Sequence, residues 1–279
     1  MRARPVEVLN RAADYLERHG VEAPRETAEA LLMRVLGTDR AEIYTRTAMD
    51  MASAKAFGRA LCQRCSGTPL QHLTGAQPFR TLRLAVEPGV FVPRPETEVV
   101  VEAALDAIAG IDAPLVVDAG TGTGAIALSV AAEHPGAIVH ATDLNPAAVA
   151  LARRNAESHG LAVVVREGDL LEPLPAALRG RVELVVSNPP YVSAAEYADL
   201  PPEVRADPRE ALVGGTEVHR RLAAAARDWL LPGGALVMEI GASQAEEVRS
   251  ILADTGYAQI EILPDLALRD RVAGARTGS

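Results

Sequence analysis

Asn188-Pro189-Pro190-Tyr191 joins a side-chain amide, two residues without a backbone N–H and an aromatic ring, directly after the apolar run 182–187. Proline gives a sheet no ladder donor and pushes the preceding residue toward extended backbone. The Asn188 side-chain oxygen can accept one N–H, and the Pro189 carbonyl, released from any ladder, can accept a second. Two such acceptors suit a planar –NH2 group, whose lone pair they direct at an electrophile instead of leaving it in conjugation. Tyr191 can pack on that flat group and fix its plane. An amide-type nitrogen is hardly basic, so positioning and fixed dipoles must supply most of the acceleration, and no separate general base stands out. Asn188, Pro189 and Tyr191 are the catalytic candidates, and Pro190 joins them as a substrate-binding position. An ordinary strand-ending turn also uses Asn and Pro, but it leaves this four-residue combination unexplained.

The partner of this loop is Val116-Val117-Asp118-Ala119-Gly120-Thr121-Gly122-Thr123-Gly124, a short apolar strand entering a glycine-rich turn. Such a turn lets a ligand approach the backbone where a Cβ would block it. Gly120-x-Gly122-x-x-Ala125 satisfies the dinucleotide pattern, and Asp143 stands 25 residues after Asp118, where a ribose-binding acid is expected. The turn alone therefore leaves a NAD-dependent oxidoreductase open. The third glycine, Gly124, and the carboxylate of Asp118 at the strand end count against it, because Asp118 would repel a pyrophosphate at the following helix terminus. Asp118 suits a cofactor with an ammonium group and no phosphate, which describes S-adenosylmethionine. Asp143 can accept both hydroxyls of a ribose, while Asn145 is the better cap for the helix after Pro146. Asp169 can accept from an adenine amino group, and Leu170 can pack on the base. The cofactor candidates are thus Asp118, Gly120, Thr121, Gly122, Thr123, Gly124, Asp143, Asp169, Leu170 and the adjoining Asn188. No metal is expected: Cys62 and Cys65 are the only cysteines, and a zinc site needs two further ligands.

An alternation of strands and helices must carry these loops. Strands are expected near 115–119, 138–142, 162–166, 182–187 and 235–240, with helices over 124–133, 146–159, 217–231 and 243–255. Residues 260–263 and 271–275 are expected to close the sheet, with an antiparallel edge. Before this, residues 1–75 read as a helical domain: Val6, Leu9, Ala12, Ala13 and Leu16 recur at helical spacing, and 25–36 and 52–63 continue the pattern. Residues 76–93 read as a β-hairpin linker that turns at Pro88-Gly89, and 94–279 as the large domain. The stretch 192–215 is long for a connection in such a fold and is expected to be a binding loop or lid.

Composition narrows the partners. The chain has 279 residues and a formal net charge of −9. The first 70 residues hold 11 Lys plus Arg against 9 Asp plus Glu, so the remainder carries −11. That acidity argues against an extended phosphate track, and hence against methylation of a nucleobase amine in DNA or RNA. The near-neutral helical start fits docking of a macromolecule instead. Arg2, Arg4 and Glu7 do not read as a secretory leader, no run is long enough for a membrane span, and a cytoplasmic monomer is expected. A degenerate, non-catalytic binding module would not need Asp118, Asp143, Asp169 and Asn188 together.

Several runs resemble the peptide-chain release factor glutamine methyltransferases: Gly67-Thr-Pro-Leu-Gln-His72-Leu73-Thr-Gly75, Pro88-Gly-Val-Phe-Val-Pro93-Arg94-Pro95-Glu96-Thr97-Glu98, the turn from Asp118, and Ser187-Asn188-Pro189-Pro190-Tyr191-Val192. Asn-Pro-Pro-Tyr also marks adenine N6- and guanine N2-methyltransferases, whereas the Pro-Arg-Pro-Glu-Thr-Glu run is far more specific. The resemblance implies a Rossmann-like, seven-stranded class I methyltransferase domain behind a small helical domain and a hairpin. It implies methyl transfer from S-adenosylmethionine to the glutamine amide of the Gly-Gly-Gln loop of class 1 release factors. Phe91 and Arg94 would then line the substrate pocket. Departures are Leu170, where an aromatic residue is common, and Gly214-Gly215-Thr216-Glu217-Val218 in place of Gly-Gly-x-Asp-Gly-Leu.

Overall fold

Leucine and alanine at three- and four-residue spacing build the first part of the chain into helices α1 (Pro5–Arg18), α2 (Pro24–Leu36), α3 (Arg40–Thr45), α4 (Met51–Cys65) and α5 (Leu70–Thr74). A computed structural model describes residues 4–278, so Arg2 lies outside the described residues. Proline opens α1 and α2, where its missing N–H costs nothing. Asp39 and Asp50 cap α3 and α4 by accepting from Glu42 N at 2.8 Å and Ser53 N at 2.9 Å. Residues 40–45 and 70–74 lack a long apolar repeat but are helical too: Asp39 caps the first and Pro69 precedes the second. Leu9, Leu16, Leu31, Leu32, Ile43 and Phe57 form the core of this unit. Pro201–Ala206 also belongs to it, while Gln77–Leu200 and the chain from Asp207 onward make the second unit. Cys62 and Cys65 lie on α4 as free thiols.

The second unit begins with a hairpin of β1 (Ala76–Phe79) and β2 (Leu82–Ala85). Pro88-Gly89 does turn the chain, with Val90 N donating to the Glu87 carbonyl at 3.3 Å, but it is not the hairpin's turn: the strands reverse at Arg80-Thr81, with Arg80 at φ 48°, and residues 90–92 join no ladder. Val90 and Val92 are buried nonetheless, so their apolar spacing reports packing and not pairing.

The large sheet contains β3 (Leu115–Ala119), β4 (Ile138–Asp143), β5 (Val163–Glu167), β6 (Val182–Ser187), β7 (Leu230–Glu239), β8 (Ala258–Pro264) and β9 (Asp270–Arg276). Its order is β5-β4-β3-β6-β7-β9-β8; β9 is antiparallel to both neighbours and the other pairs are parallel. Helices α6 (Glu98–Ala107), α7 (Ala125–Glu133) and α8 (Pro146–His159) cover one face with Val116, Val139 and Val165. Helices α10 (Glu217–Ala226) and α11 (Ala245–Asp254) cover the other with Val117, Val185 and Leu236. The short α9 (Arg209–Leu212) lies in the long connection between β6 and α10. Helix α10 stops before the expected 231, because Trp229 and Leu230 enter the core and Leu230 pairs with Val182.

The strand order reverses between β3 and β6, and a doubly wound sheet opens a ligand crevice outside the carboxyl ends of such a pair. The glycine-rich turn leaves β3, and Asn188 leaves β6. Ser187 Oγ donates to the Ala119 carbonyl at 2.6 Å and ties the two strand ends together. The fold therefore delivers both sequence-derived loops to one edge.

Candidate active site

Asp118 ends β3 with no solvent exposure. Its Oδ2 accepts from Thr121 Oγ1 at 2.6 Å and from Ala127 N at 3.1 Å. Its Oδ1 has no hydrogen-bond partner among the described residues, nor does the buried Thr123 Oγ1 in the same turn. Burial raises the Asp118 carboxyl to about 7, against the pull of Thr121 and Ala127. An orphaned buried carboxylate oxygen is costly unless something supplied from outside satisfies it. Gly120, Gly122 and Gly124 all adopt the left-handed region, at φ 73°, 57° and 90°. At Gly124 a Cβ would also meet Leu128 Cδ1 at 3.0 Å.

Asp143, at the end of β4, accepts from Gly122 N at 2.8 Å through Oδ2 and from Asn145 N at 2.8 Å through Oδ1. Burial pushes its carboxyl upward while these two N–H donors pull it down. The Gly122 N–H is thus committed to a carboxylate, although a dinucleotide turn would offer it to a pyrophosphate. Two acids and an occupied N–H make an acidic pocket, which fits S-adenosylmethionine and not NAD. Asn145 also fills the cap of α8, accepting from Ala147 N at 2.9 Å. Asp169 is one-third exposed and ion-paired with Arg221 of α10. Leu170 has φ 45°, and its carbonyl accepts from Thr142 Oγ1 at 2.6 Å.

Across the crevice, Asn188 donates through Nδ2 to Thr97 Oγ1 at 3.2 Å, which leaves Oδ1 as its free acceptor face. Among the described residues no N–H or hydroxyl donates to the Pro189 carbonyl. Tyr191 is held at both ends: its hydroxyl donates to Glu239 Oε1 at 3.3 Å, and its carbonyl accepts from Gln244 Nε2 at 2.7 Å. Burial, with Glu239 beside it, drives the Tyr191 hydroxyl well above its ordinary pKa, so it remains a donor. Glu239 ends β7 and is itself buried, which raises its carboxyl to about 7 despite Thr97, Arg271 and Tyr191.

Phe91 and Arg94 stay together, with the guanidinium 5.4 Å from the ring centroid. Arg94 is not a free cation: it pairs with the buried Asp207, which also accepts from Val92 N at 3.2 Å. That pair pins the long 192–215 connection to residues 92–94, and Val192 bridges Val213.

Sequence reasoning passed over Thr97, Asn155, Gly214 and Glu239. Asn155 of α8 accepts from Ala85 N at 2.9 Å and donates to the Thr123 carbonyl at 2.8 Å, clamping the hairpin and the glycine turn. A Cβ on Gly214 would lie 2.3 Å from the Pro190 carbonyl oxygen. Thr97 stood inside the family-specific run, and Gly214 stood in a Gly-Gly pair, so both carried a signal. Asn155 and Glu239 carried none, because each acts across the fold on a residue distant in sequence.

The "Methyltransferase small domain" family matches residues 82–255, and the "PrmC N-terminal domain" family matches residues 7–75. The chain is 42% identical over 274 residues to a release factor glutamine methyltransferase of Moorella thermoacetica, covering 95% of each chain. It is 42% identical over 276 residues to the protein of the same name from Deinococcus radiodurans, covering 97% of each. Among solved structures, a methyltransferase from Pyrococcus furiosus shares the fold at a TM-score of 0.51 and 17% identity, covering 70% of this chain and 89% of that one. With both family segments present in order and relatives matched almost end to end, this chain belongs to the release factor glutamine methyltransferase family.

Proposed function

We propose that the protein transfers a methyl group from S-adenosylmethionine to the side-chain amide nitrogen of the glutamine in the Gly-Gly-Gln loop of class 1 peptide-chain release factors. The observation that carries this is the Asn188 side chain: Thr97 occupies its nitrogen, so its oxygen is presented as an acceptor beside the unused Pro189 carbonyl. Two fixed acceptors are what a primary amide needs to be oriented through both N–H bonds. Bound S-adenosylmethionine supplies a methyl made electrophilic by the sulfonium. The chain then has to bind, orient and exclude water, and preorganised dipoles are worth most in such a dry site.

In this reading Asp118 Oδ1 takes the cofactor's ammonium group, and Asp143 takes the ribose hydroxyls with its remaining lone pairs. Asp169 and Leu170 hold the adenine. Asn188 and Pro189 hold the substrate amide, Tyr191 packs on its plane, and Pro190, Phe91 and Arg94 wall the pocket, with Arg94 contributing as one half of the Asp207 pair. Residues 1–75 serve as the docking domain for the whole factor, residues 76–93 as linker and residues 94–279 as the catalytic domain. The reading also takes the enzyme as a cytoplasmic monomer with no stable hold on nucleic acid, supported by the acidic balance of residues 71–279. No described helix is long and apolar enough to cross a membrane.

The test is transfer of a labelled methyl group to a purified release factor, beside the same factor with its loop glutamine changed to alanine. Label on the first and none on the second is expected. Label on neither, with a nucleic acid accepting it instead, would overturn the protein-substrate reading and leave the cofactor reading standing.

A further inference from the structure

The turn between β8 and β9, Asp265-Leu266-Ala267-Leu268-Arg269, holds two leucines out in water. Leu266 is 99% exposed and Leu268 86%, the highest values of any large apolar side chain among the described residues. This turn is braced from within. Asp265 is buried, and its Oδ1 accepts from Ala267 N at 2.9 Å and from Arg269 N at 3.1 Å. Its Oδ2 accepts from Arg269 Nε at 3.1 Å and from the buried Arg271 at 3.3 Å. The backbone closes the turn twice more: Leu268 N donates to the Asp265 carbonyl at 2.9 Å, and Asp265 N to the Arg269 carbonyl at 2.8 Å. Leu268 is held at φ 60°, in the left-handed region that leucine enters at a cost and that asparagine enters far more easily.

The sheet decides which way the turn faces. Strand β9 is antiparallel to both β7 and β8, so β8 runs with β7 and β6 and ends on their edge. The two leucines therefore stand on the carboxyl edge, which also carries Asn188 and the glycine turn. By strand spacing β9 lies two strands, about 10 Å, from β6. The turn also leans back toward the site: Arg269 pairs with Glu96 at 3.5 Å, and the next residue, Thr97, accepts from Asn188 Nδ2 at 3.2 Å. A single exposed leucine needs no explanation. Two on one rigid turn, one of them in an unfavourable backbone conformation, contribute nothing to the core and leave apolar surface in water beside the crevice.

We infer that Leu266 and Leu268 form an apolar docking knob for the protein substrate, seated on a nonpolar patch next to the loop that carries the glutamine. A glutamine side chain reaches Asn188 only when the protein around it lies across the carboxyl edge, so the rim of that edge continues the surface that the substrate must cover. The inference rests on the proposed methylation of a release factor, since a lone nucleobase would bring no apolar surface to the knob.

The experiment is steady-state methylation of whole release factor by the full chain carrying Leu266→Ser, Leu268→Asn, both together, or Leu266→Met with Leu268→Met. Calorimetric affinity for S-adenosylmethionine, thermal midpoint and light-scattering mass are measured alongside. The double polar variant should raise KM for the factor about tenfold, the loss expected when leucine no longer covers a partner. Its kcat at saturating factor and its cofactor affinity should stay native, and its midpoint should hold or rise, because asparagine tolerates the conformation at 268. The methionine pair keeps the apolar bulk and should leave KM close to native. An unchanged KM in the double polar variant, an equal loss in the methionine pair, or a loss carried by kcat, cofactor affinity or a lowered midpoint would each overturn the docking role. So would a native dimer that the polar variant turns into a monomer, since a second copy would then be what covers the knob. If the unaltered enzyme moves no label to release factor, the proposed function fails and not the docking role alone.

Discussion

Cofactor affinity should fall as pH falls through 7, and Asp118 should be the cause. In the free protein, burial lifts this carboxyl from the ordinary 3.8 to about 7, so near neutrality much of it carries a proton. A cofactor ammonium group is held by the carboxylate and not by the acid, so binding must expel that proton. The sign follows: affinity is full well above pH 7 and is lost below it. With a pKa of about 7 the ionised fraction drops from nearly all at pH 8 to roughly one in eleven at pH 6, which weakens apparent affinity about tenfold. Asp143, also raised by burial, pushes in the same direction, so the two must be separated. Asp118→Asn does this, because it keeps the shape and removes the titration. Calorimetry with S-adenosylmethionine in two buffers of different ionisation heat, at pH 6 and 8, measures both the affinity and the protons released. The native protein should release close to one proton at pH 6 and almost none at pH 8, and the variant should bind more weakly with a much flatter dependence. Affinity independent of pH in the native protein, or an undiminished slope in Asp118→Asn, would refute the assignment of Asp118 to the ammonium group. The same burial has a folding consequence of opposite use: it favours the fold most at low pH, and that contribution is lost as pH rises through about 7.

Asn188→Ala should leave the thermal midpoint and cofactor affinity in place while lowering methyl transfer by ~10²-fold or more, as for loss of a preorganised polar partner; near-native turnover would remove it from the chemistry. Asp143→Ala should weaken cofactor binding and also free the Gly122 N–H that it now satisfies; an unaltered calorimetric affinity would contradict the ribose assignment. Gly214→Ala forces a Cβ to within 2.3 Å of the Pro190 carbonyl. It should cost about 1–3 kcal/mol of stability by overpacking and depress turnover by shifting the Asn188 loop, with circular-dichroism melting and the label assay as checks.

The elements legible from sequence were those whose signal is local. Strand β3 and its turn announce themselves by an apolar run and three glycines, and α8 by Pro146 with Asn145 before it. What escaped depends on partners far away in the chain. Nothing near Glu239 says that it faces Thr97 and Tyr191, and Asp207 looks like a loop acid until it is seen buried against Arg94. The hairpin was placed at the wrong turn because Pro88-Gly89 is the stronger turn signal, whereas Arg80 takes its left-handed conformation from tertiary contacts: its guanidinium binds Glu133 and its N–H binds Glu98. Asp265 likewise organises the segment before β9 by accepting from Ala267 N, Arg269 N and the Arg269 and Arg271 side chains.

The membership of Pro201–Ala206 in the first unit bears on how the chain is made. Arg64, only 12% exposed in its side chain, finds its carboxylate partner in Glu203 at 2.8 Å, and Gly67 faces Pro202. On a ribosome the first 76 residues emerge long before that partner does. At about 5–20 residues per second the wait is roughly 6–25 s, far longer than a small helical unit needs to collapse. The helices must therefore set their core of Leu9, Leu16, Leu31 and Phe57 first and receive the six-residue insert afterwards, as a late clasp delivered from the midst of the other unit. Cutting the gene at residue 76 would consequently yield not two self-sufficient halves but one lacking its clasp and another carrying an orphaned segment.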